Sequence, residues 1–229
     1  MNENAISLSI IFRAVRRNLV PALIAQAILL SLVAAYFTHE PTRSALERLA
    51  ELKAATGYAF SFAAGIIAGA LLPELLSIVV FQRGALNSEN IANLRFTAIF
   101  WGLDGILVDA FYRLQGVMFG HHLDWHTVTI KVLVDQFGFT PFIATPIGLA
   151  CYEWKHQGYS FPRFTRVFTW SFYKARAVPV LVTNWLVWIP ILVAVYSLPP
   201  LLQIPIFAVA LTLWVMLFTF ISWADRSED

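Results

Sequence analysis

The chain is a succession of long hydrophobic runs separated by short polar segments. A helix needs about 20 mostly apolar residues to cross a hydrocarbon layer of roughly 30 Å. Six runs come close to that length or exceed it, so the pattern predicts an all-α, polytopic transmembrane bundle, folded as one domain over residues 1–229. The predicted spans are about Leu19–Phe37, Gly57–Phe81, Ile91–Phe119, Thr127–Trp154, Ala177–Leu198, and a last one that follows Pro199-Pro200 and ends near Trp223.

Two features leave the number of spans between four and six. The first run follows Arg13, Arg16 and Arg17, as in a signal peptide, but its length and the lack of a clear cleavage site favour a retained helix. The last two runs contain prolines, which kink a helix or allow re-entrant geometry. The count falls to four if the first run or the last hairpin does not cross the membrane.

The polar segment between the first two runs has its own pattern. From Thr38 to Thr56 it predicts a short amphipathic helix near the membrane interface, with Leu46, Leu49, Ala50 and Leu52 on its apolar side.

Composition supports a membrane protein. Hydrophobic residues make up 59% and charged residues 13% of the chain, whereas a soluble domain carries about 25% charged residues. The mean hydropathy is +0.67. A net charge of +2 is too small to indicate a nucleic-acid partner, so the lipid bilayer is the expected one. The single cysteine, Cys151, excludes an internal disulfide and a multi-cysteine metal site.

The distribution of lysine and arginine predicts the orientation. With six spans, one side of the membrane holds the three arginines of the N-terminal arm, Arg83 and Arg95, five basic residues from Lys155 to Arg176, and Arg226; these are 11 of the 16 Lys and Arg. By the positive-inside rule, both termini lie on the cytoplasmic or matrix side. A bacterial plasma membrane and a mitochondrial inner membrane both agree with this pattern.

Four acidic residues, Glu74, Asp104, Asp109 and Asp135, lie inside predicted spans. A charge at the bilayer centre costs about 2.5–3.5 kcal/mol on insertion scales, so these side chains are expected to face the bundle interior or a water-filled cavity.

Two of the acids have a basic residue four positions away. Asp109 with Arg113, and Lys131 with Asp135, each share a helix face and are expected either to form ion pairs or to line a cavity. Glu74 and Asp104 have no such partner and are the strongest candidates for a pore lining.

Uncharged residues complete the predicted polar set. Gln136 follows Asp135, and Asn184 is expected to hydrogen-bond across helices. Gly65 and Gly69 form a GxxxG pair, which predicts close helix packing within the chain, while a homo-oligomer also agrees with it.

A histidine-rich loop contains His121, His122, Asp124 and His126, all of them metal-ligating residue types. The remaining histidines are isolated, so a polar interfacial loop is favoured over a metal site. Nucleophile-elbow, P-loop and dinucleotide motifs are absent from the sequence. We therefore expect no enzyme activity, cofactor or bound metal, and keep a metalloenzyme based on this loop as the weaker alternative.

Several short motifs in the second half of the chain form a further pattern: Asn93-Leu94-Arg95, Trp101-Gly102, Phe111-Tyr112-Arg113-Leu114, Lys131 to Gln136 with Pro141-Phe142, Thr183-Asn184-Trp185, Trp188, Pro200 and Ile221-Ser222-Trp223. Over about residues 90–223, the chain resembles the family of small integral membrane proteins that includes mitochondrial Mpv-seventeen and the twenty-two-kilodalton peroxisomal membrane protein.

This resemblance implies a multi-helix protein linked to metabolite or ion passage and membrane homeostasis. Some polar family positions are apolar here: the aspartate of the second helix corresponds to Ala70, and the Gly-Pro of the third is Gly102-Leu103. Asp104 and Glu74 are expected to replace the missing lining. The leading hypothesis is a channel or permeability-modulating protein for ions or small metabolites, and the alternative is a structural or partner-binding membrane protein.

Overall fold

In the computed structural model, the described residues are 8–160 and 169–228. They form long helices with no strand in those ranges, which confirms the predicted all-α bundle. The helices are α1 (Leu8–Thr38), α2 (Glu40–Thr56), α3 (Tyr58–Phe81), α4 (Ser88–Phe119), α5 (Trp125–His156), α6 (Trp170–Tyr196) and α7 (Pro200–Glu228).

Four described segments are long and apolar enough to cross a membrane: Leu19–Thr38, α3, α4 and α5. A fifth is α6, whose halves Trp170–Val178 and Val180–Tyr196 are bent by 48°. Pro179 lies between the halves and has no backbone N–H for the preceding turn. The chain is thus a helical membrane protein within the predicted range of four to six spans, and the count of six stays a prediction.

The outer surface of the bundle is apolar, as a lipid environment requires. Val79 and Val117 are 65% and 84% exposed, and α1 exposes Val20 and Leu23 on one side. The centre is the hairpin of α6 and α7, where the large residues Ile191, Tyr196, Leu198, Leu202 and Ile206 are almost completely buried. Helix α1 packs on this hairpin through Ala22 and Leu29.

Two short connections define two ends of the bundle. The α3–α4 connection, residues 82–87, lies at one end with the last turn of α5. The α4–α5 connection, residues 120–124, lies at the other with α2 and the last turn of α6. We call them the 82–87 end and the 120–124 end.

Helix α2 is present where the amphipathic pattern predicts a helix, but its buried side differs from the prediction. Leu46 is buried as expected, whereas Leu49 and Leu52 are 39% and 50% exposed. Lys53 is only 3% exposed and points into the bundle, because it has an acidic partner there. Helical spacing from Leu46 to Lys53 places both on one face.

Helices α3 and α4 pack at very short distance through glycines. A Cβ atom at Gly65 would lie 2.1 Å from the backbone oxygen of Trp101, and one at Gly69 would lie 2.3 Å from the Trp101 ring. From α4, a Cβ at Gly105 would lie 2.3 Å from the backbone oxygen of Ser61. The GxxxG pair is therefore occupied by a contact within the chain.

Helices α3 and α5 contain π-helical turns, and prolines free backbone carbonyls in α5. Helix α5 is a π-helix over Asp135–Ala144, and α3 contains π-helical turns at Ile67–Leu71 and Ser77–Phe81. In a π-helix, residue i donates to residue i−5, so Pro141, which lacks an N–H, leaves the Gln136 carbonyl without a helical donor. The Trp185 indole N–H donates to that carbonyl at 2.8 Å.

Two further carbonyls lose their helical donor to a proline, one of them five residues before it, as in the π-helix, and the other four residues before it, as in an α-helix. Pro146 leaves the Pro141 carbonyl free, and the Tyr173 hydroxyl donates to it. In α6, Pro190 leaves the Leu186 carbonyl free, and Gln26 of α1 donates its amide N–H to it at 2.9 Å. Side chains of α6 and α1 thus complete the backbone hydrogen bonding that a membrane interior demands.

Candidate functional site

Asp135 is the centre of a buried hydrogen-bond network near the 120–124 end. One carboxylate oxygen accepts from the Tyr196 hydroxyl at 2.7 Å, and the other from Gln136 Nε2 at 2.9 Å and Thr140 Oγ1 at 3.3 Å. The π-helical turn of α5 brings Asp135, Gln136 and Thr140 to one side of the helix. Asn184 of α6 donates to Gln136 Oε1 at 3.0 Å, the interhelical bond expected for it.

The network is directional. Gln115 Nε2 donates to the Tyr196 hydroxyl at 2.6 Å, and that hydroxyl donates to Asp135, so successive donors polarise one another toward the carboxylate. Two polar groups beside it are buried: Gln115 Oε1, which makes no hydrogen bond to a described residue, and the Tyr112 hydroxyl, which interacts with that of Tyr196. An unsatisfied buried polar group costs about 1–3 kcal/mol, so a water or ligand is expected beside Gln115 Oε1.

Glu74 has two amide donors near the 82–87 end. Asn90 and Asn93 of α4 each donate to one of its carboxylate oxygens at 2.6 Å. Asn90 is fixed in place because its own oxygen accepts from the backbone of Asn87, the N-cap of α4. Lys155 of α5 donates to the oxygen of Asn93, so a cation reaches Glu74 through one intervening amide.

Asp104 differs from the other acids. Its half-buried carboxylate makes no hydrogen bond or ion pair to another residue of the ranges 8–160 and 169–228. It lies in the middle of α4, far from either end of the helix, where backbone groups could stabilise a charge.

Asp109 joins three helices. Its side chain pairs with Lys53 of α2, accepts from Ser61 of α3 at 2.6 Å and accepts from Arg113 at 3.1 Å. The Asp109–Arg113 contact expected from the sequence is present. Lys53 also donates to the Gly57 carbonyl at 2.9 Å, and the Arg113 guanidinium stacks 4.7 Å from the centre of the Tyr58 ring.

The expected Lys131–Asp135 ion pair does not form. Lys131 is buried, and within the described ranges it makes no hydrogen bond or ion pair. Asp135 has Tyr196, Gln136 and Thr140 as partners instead, although its backbone N–H donates to the Lys131 carbonyl as in an α-helix.

His121, His122 and Asp124 lie in the α4–α5 connection, and His126 lies in the first turn of α5. Asp124 caps this helix by accepting from the backbone N–H groups of His126 and Thr127 at 3.0 and 3.1 Å. Hydrogen bonds from the Thr127 backbone and hydroxyl lower the pKa of Asp124. His121 lies against Gly116. No group of three or more His, Cys, Asp and Glu side chains in the described part of the chain has a metal-binding arrangement.

Three cavities adjoin these clusters. The central cavity, about 530 Å³, lies between α4, α5, α6 and α7, and its polar lining includes Asp104, Asp135, Gln136 and Asn184. Its aromatic lining consists of Phe100, Trp101, Tyr112, Phe139, Tyr152, Trp188, Phe207 and Trp214.

The Glu74 cavity, about 390 Å³, is lined by Glu74, Asn93 and neighbouring residues. It shares Trp101, Tyr152 and Trp214 with the central cavity, so three aromatic residues form the wall between the two.

The third space is an apolar groove of about 710 Å³ between α4 and α5. Arg95, Ile99 and Leu107 are among its lining residues, and it shares Phe100 and Asp104 with the central cavity. Asp104 therefore lies on the border between a groove with a lipid-like lining and the bundle interior.

Several partners of the acids are not evident from the sequence. Lys53 lies seven positions after Leu46, a helical spacing that places both on the same face of α2. Asn90 and Asn93 lie three positions apart and share a face of α4. The sequence contains no comparable spacing for Tyr196 and Gln115, because 81 positions separate these hydrogen-bonded side chains.

Comparison with protein-family models, curated proteins and solved structures finds no match to this chain. The resemblance described from the sequence motifs therefore stays a prediction.

Proposed function

We propose that this protein is a cation-conducting channel or permeability-modulating protein of its membrane. The observation that carries the proposal is the meeting of two carboxylate-lined cavities at one aromatic wall. The central cavity contains Asp135 near the 120–124 end, and the other contains Glu74 near the 82–87 end. Together they outline a path across the bundle that contains acidic side chains and is interrupted at Trp101, Tyr152 and Trp214.

The charge of the lining favours cations. Both cavities are lined by acids, and no Lys, Arg or His is among the described residues that line them. Rings and clusters of acidic side chains select cations in channels. Asp104 is the acid best placed to attract a passing cation, because it has no partner of its own among the described residues.

Membership in the family of Mpv-seventeen and the twenty-two-kilodalton peroxisomal membrane protein is part of the same proposal. Residues that carry the resemblance contact one another: Asn184 and Trp185 both donate to Gln136, one to its side chain and one to its backbone. A shared structural role for these residues supports the resemblance.

A structural or partner-binding role is the second candidate, and one observation favours it. Glu74 and Asp135 have hydrogen-bond donors within the protein, an arrangement that also serves to hold helices in register. Under this alternative, the acids stabilise the bundle and no solute crosses it.

The test is flux of K⁺ and protons into liposomes containing the purified protein. We expect Asp104→Asn to lower cation flux by roughly fivefold or more, as about 1 kcal/mol of lost attraction would do, without lowering the folded yield. Tyr152→Ala removes part of the wall and is expected to raise flux. Phe142→Ala is the matched control, because Phe142 lies on α5 like Tyr152, is 77% exposed and lines none of the three cavities.

Absence of flux from well-folded protein, or equal flux in all variants, contradicts the channel proposal. A lower unfolding temperature for Glu74→Gln with no flux in any variant would favour the structural alternative.

A further inference from the structure

The central cavity has an unusual combination of linings for a channel vestibule. Eight aromatic residues surround it together with Asp104 and Asp135, and no basic residue is among its described lining. The faces of aromatic rings attract cations, and most strongly those with a weakly held hydration shell, such as quaternary ammonium groups.

The cavity is poorly suited to hold a bare metal ion. Such an ion needs about six oxygen ligands in its immediate surroundings, whereas the three donors around Asp135 already occupy both of its oxygens. Its volume of about 530 Å³ is also far larger than one ion requires. An organic cation makes better use of this space, because its apolar part can pack on the rings.

We propose that the central cavity binds a small organic cation, whose ammonium group lies between the Asp104 carboxylate and the aromatic rings. The proposal specifies which class of cation the protein binds. It rests on the proposed function only for the movement of the bound cation through the membrane.

The unpartnered Asp104 carboxylate supports a ligand at this place. Asp104 makes no ion pair or hydrogen bond within the described residues, so its charge is available to a ligand. Tyr112 is 7% exposed and lines the same cavity, and its hydroxyl interacts with that of Tyr196.

The test is equilibrium binding of radiolabelled choline to the purified protein in detergent, with 3,3-dimethyl-1-butanol as competitor. This alcohol has the same shape and hydroxyl group as choline but no charge, so the comparison isolates the ammonium group. We expect saturable choline binding that the alcohol does not displace at equal concentration. Asp104→Asn is expected to weaken choline binding by roughly tenfold, and Asp104→Glu to retain most of it.

Glu51→Gln is the charge control, because Glu51 is exposed on α2 and lines no described cavity. It is expected to leave binding unchanged. Thermal unfolding and gel filtration identify any variant that fails to fold, and Asp104→Glu keeps the test informative if Asp104→Asn does so.

Three results would overturn the inference: no saturable choline binding, equal competition by the neutral alcohol, or unchanged binding in folded Asp104→Asn. Potassium flux measured on the same preparations separates this inference from the proposed function. Flux without choline binding refutes the organic-cation site alone, whereas choline binding without flux supports the site and refutes the channel.

Discussion

At the scale of single residues, the four membrane acids are accommodated in four different ways. Asp109 has a buried ion pair, Asp135 has three hydroxyl or amide donors, and Glu74 has two asparagines. Asp104 has no partner among the described residues. Substitution of a partnered acid leaves its donors unsatisfied, so a measured loss of function would include the effect of lower stability. Asp104 is the acid at which a functional effect can be measured with the least disturbance of the fold.

The Lys53–Asp109 pair predicts a large stability effect. Removal of one member of a buried ion pair costs about 3–5 kcal/mol, because the remaining charge has no counterion. We expect Asp109→Asn to lower the free energy of unfolding by about 3 kcal/mol, measured by titration of detergent-solubilised protein with SDS. The double variant Lys53→Met with Asp109→Leu removes both charges and is expected to recover most of that loss.

Arg113→Gln is the matched control for this cycle. Arg113 contacts the same carboxylate, but its side chain is 52% exposed, so water or lipid headgroups can solvate the charge. Exposed pairs contribute about 0–1 kcal/mol, and we expect a loss in that range. A double variant as unstable as Asp109→Asn would mean that packing of α2, and not the buried charge, dominates the effect.

At the scale of helices, prolines organise the bundle through the carbonyls that they free. The sequence predicts kinks in the last spans from their prolines. It does not predict which side chains bind the freed carbonyls, because those donors come from other helices: Trp185 and Tyr173 for α5, and Gln26 for α6. Interhelical polar contacts of this kind hold membrane helices together where the hydrophobic effect is weak.

This arrangement predicts an energetic coupling between Pro141 and Trp185. Trp185→Phe leaves the Gln136 carbonyl unsatisfied and is expected to destabilise the protein by about 1–2 kcal/mol. Pro141→Ala supplies a backbone N–H that can donate to the same carbonyl. In the Pro141→Ala background, Trp185→Phe is therefore expected to cost less, and the four proteins of the double-mutant cycle measure the difference by SDS-induced unfolding.

Trp125→Phe serves as the control, since Trp125 is 79% exposed at the start of α5. A Trp185→Phe effect that is the same in both backgrounds would show that the indole contributes through packing and not through its hydrogen bond to the freed carbonyl.

At the scale of the whole molecule, the sequence predicts the helices well and their contacts poorly. A membrane span is a property of one continuous run, so the segment predicted from Gly57 to Phe81 agrees with α3 within one residue. A contact depends on residues far apart, and Lys53 and Asp109 are separated by 56 positions. Only pairs within one helix, such as Asp109 with Arg113, follow from spacing, and spacing does not reveal that Asp135 accepts from Tyr196 of another helix and does not pair with Lys131.

The orientation of the bundle is a prediction that α4 allows to be tested at both of its ends. Helix α4 has 32 residues and measures about 48 Å at 1.5 Å per residue, so it reaches water on both sides of a bilayer about 40–45 Å thick. The positive-inside rule places the 82–87 end in the cytoplasm or matrix, since 11 of 16 basic residues are expected on that side with six spans.

Single cysteines placed in a Cys151→Ala background report on which side of the membrane each end of α4 lies. Leu86 is 64% exposed before α4, and His122 is exposed after it. An impermeant maleimide added to intact cells or mitoplasts is expected to label His122→Cys at once and Leu86→Cys only after the membrane is permeabilised. The reverse order would invert the orientation, and immediate labelling of both would exclude α4 as a span. The predicted order would place the Asp135 network toward the outside and the Glu74 cavity toward the cytoplasm or matrix, so that a cation entering from outside would meet the central cavity first.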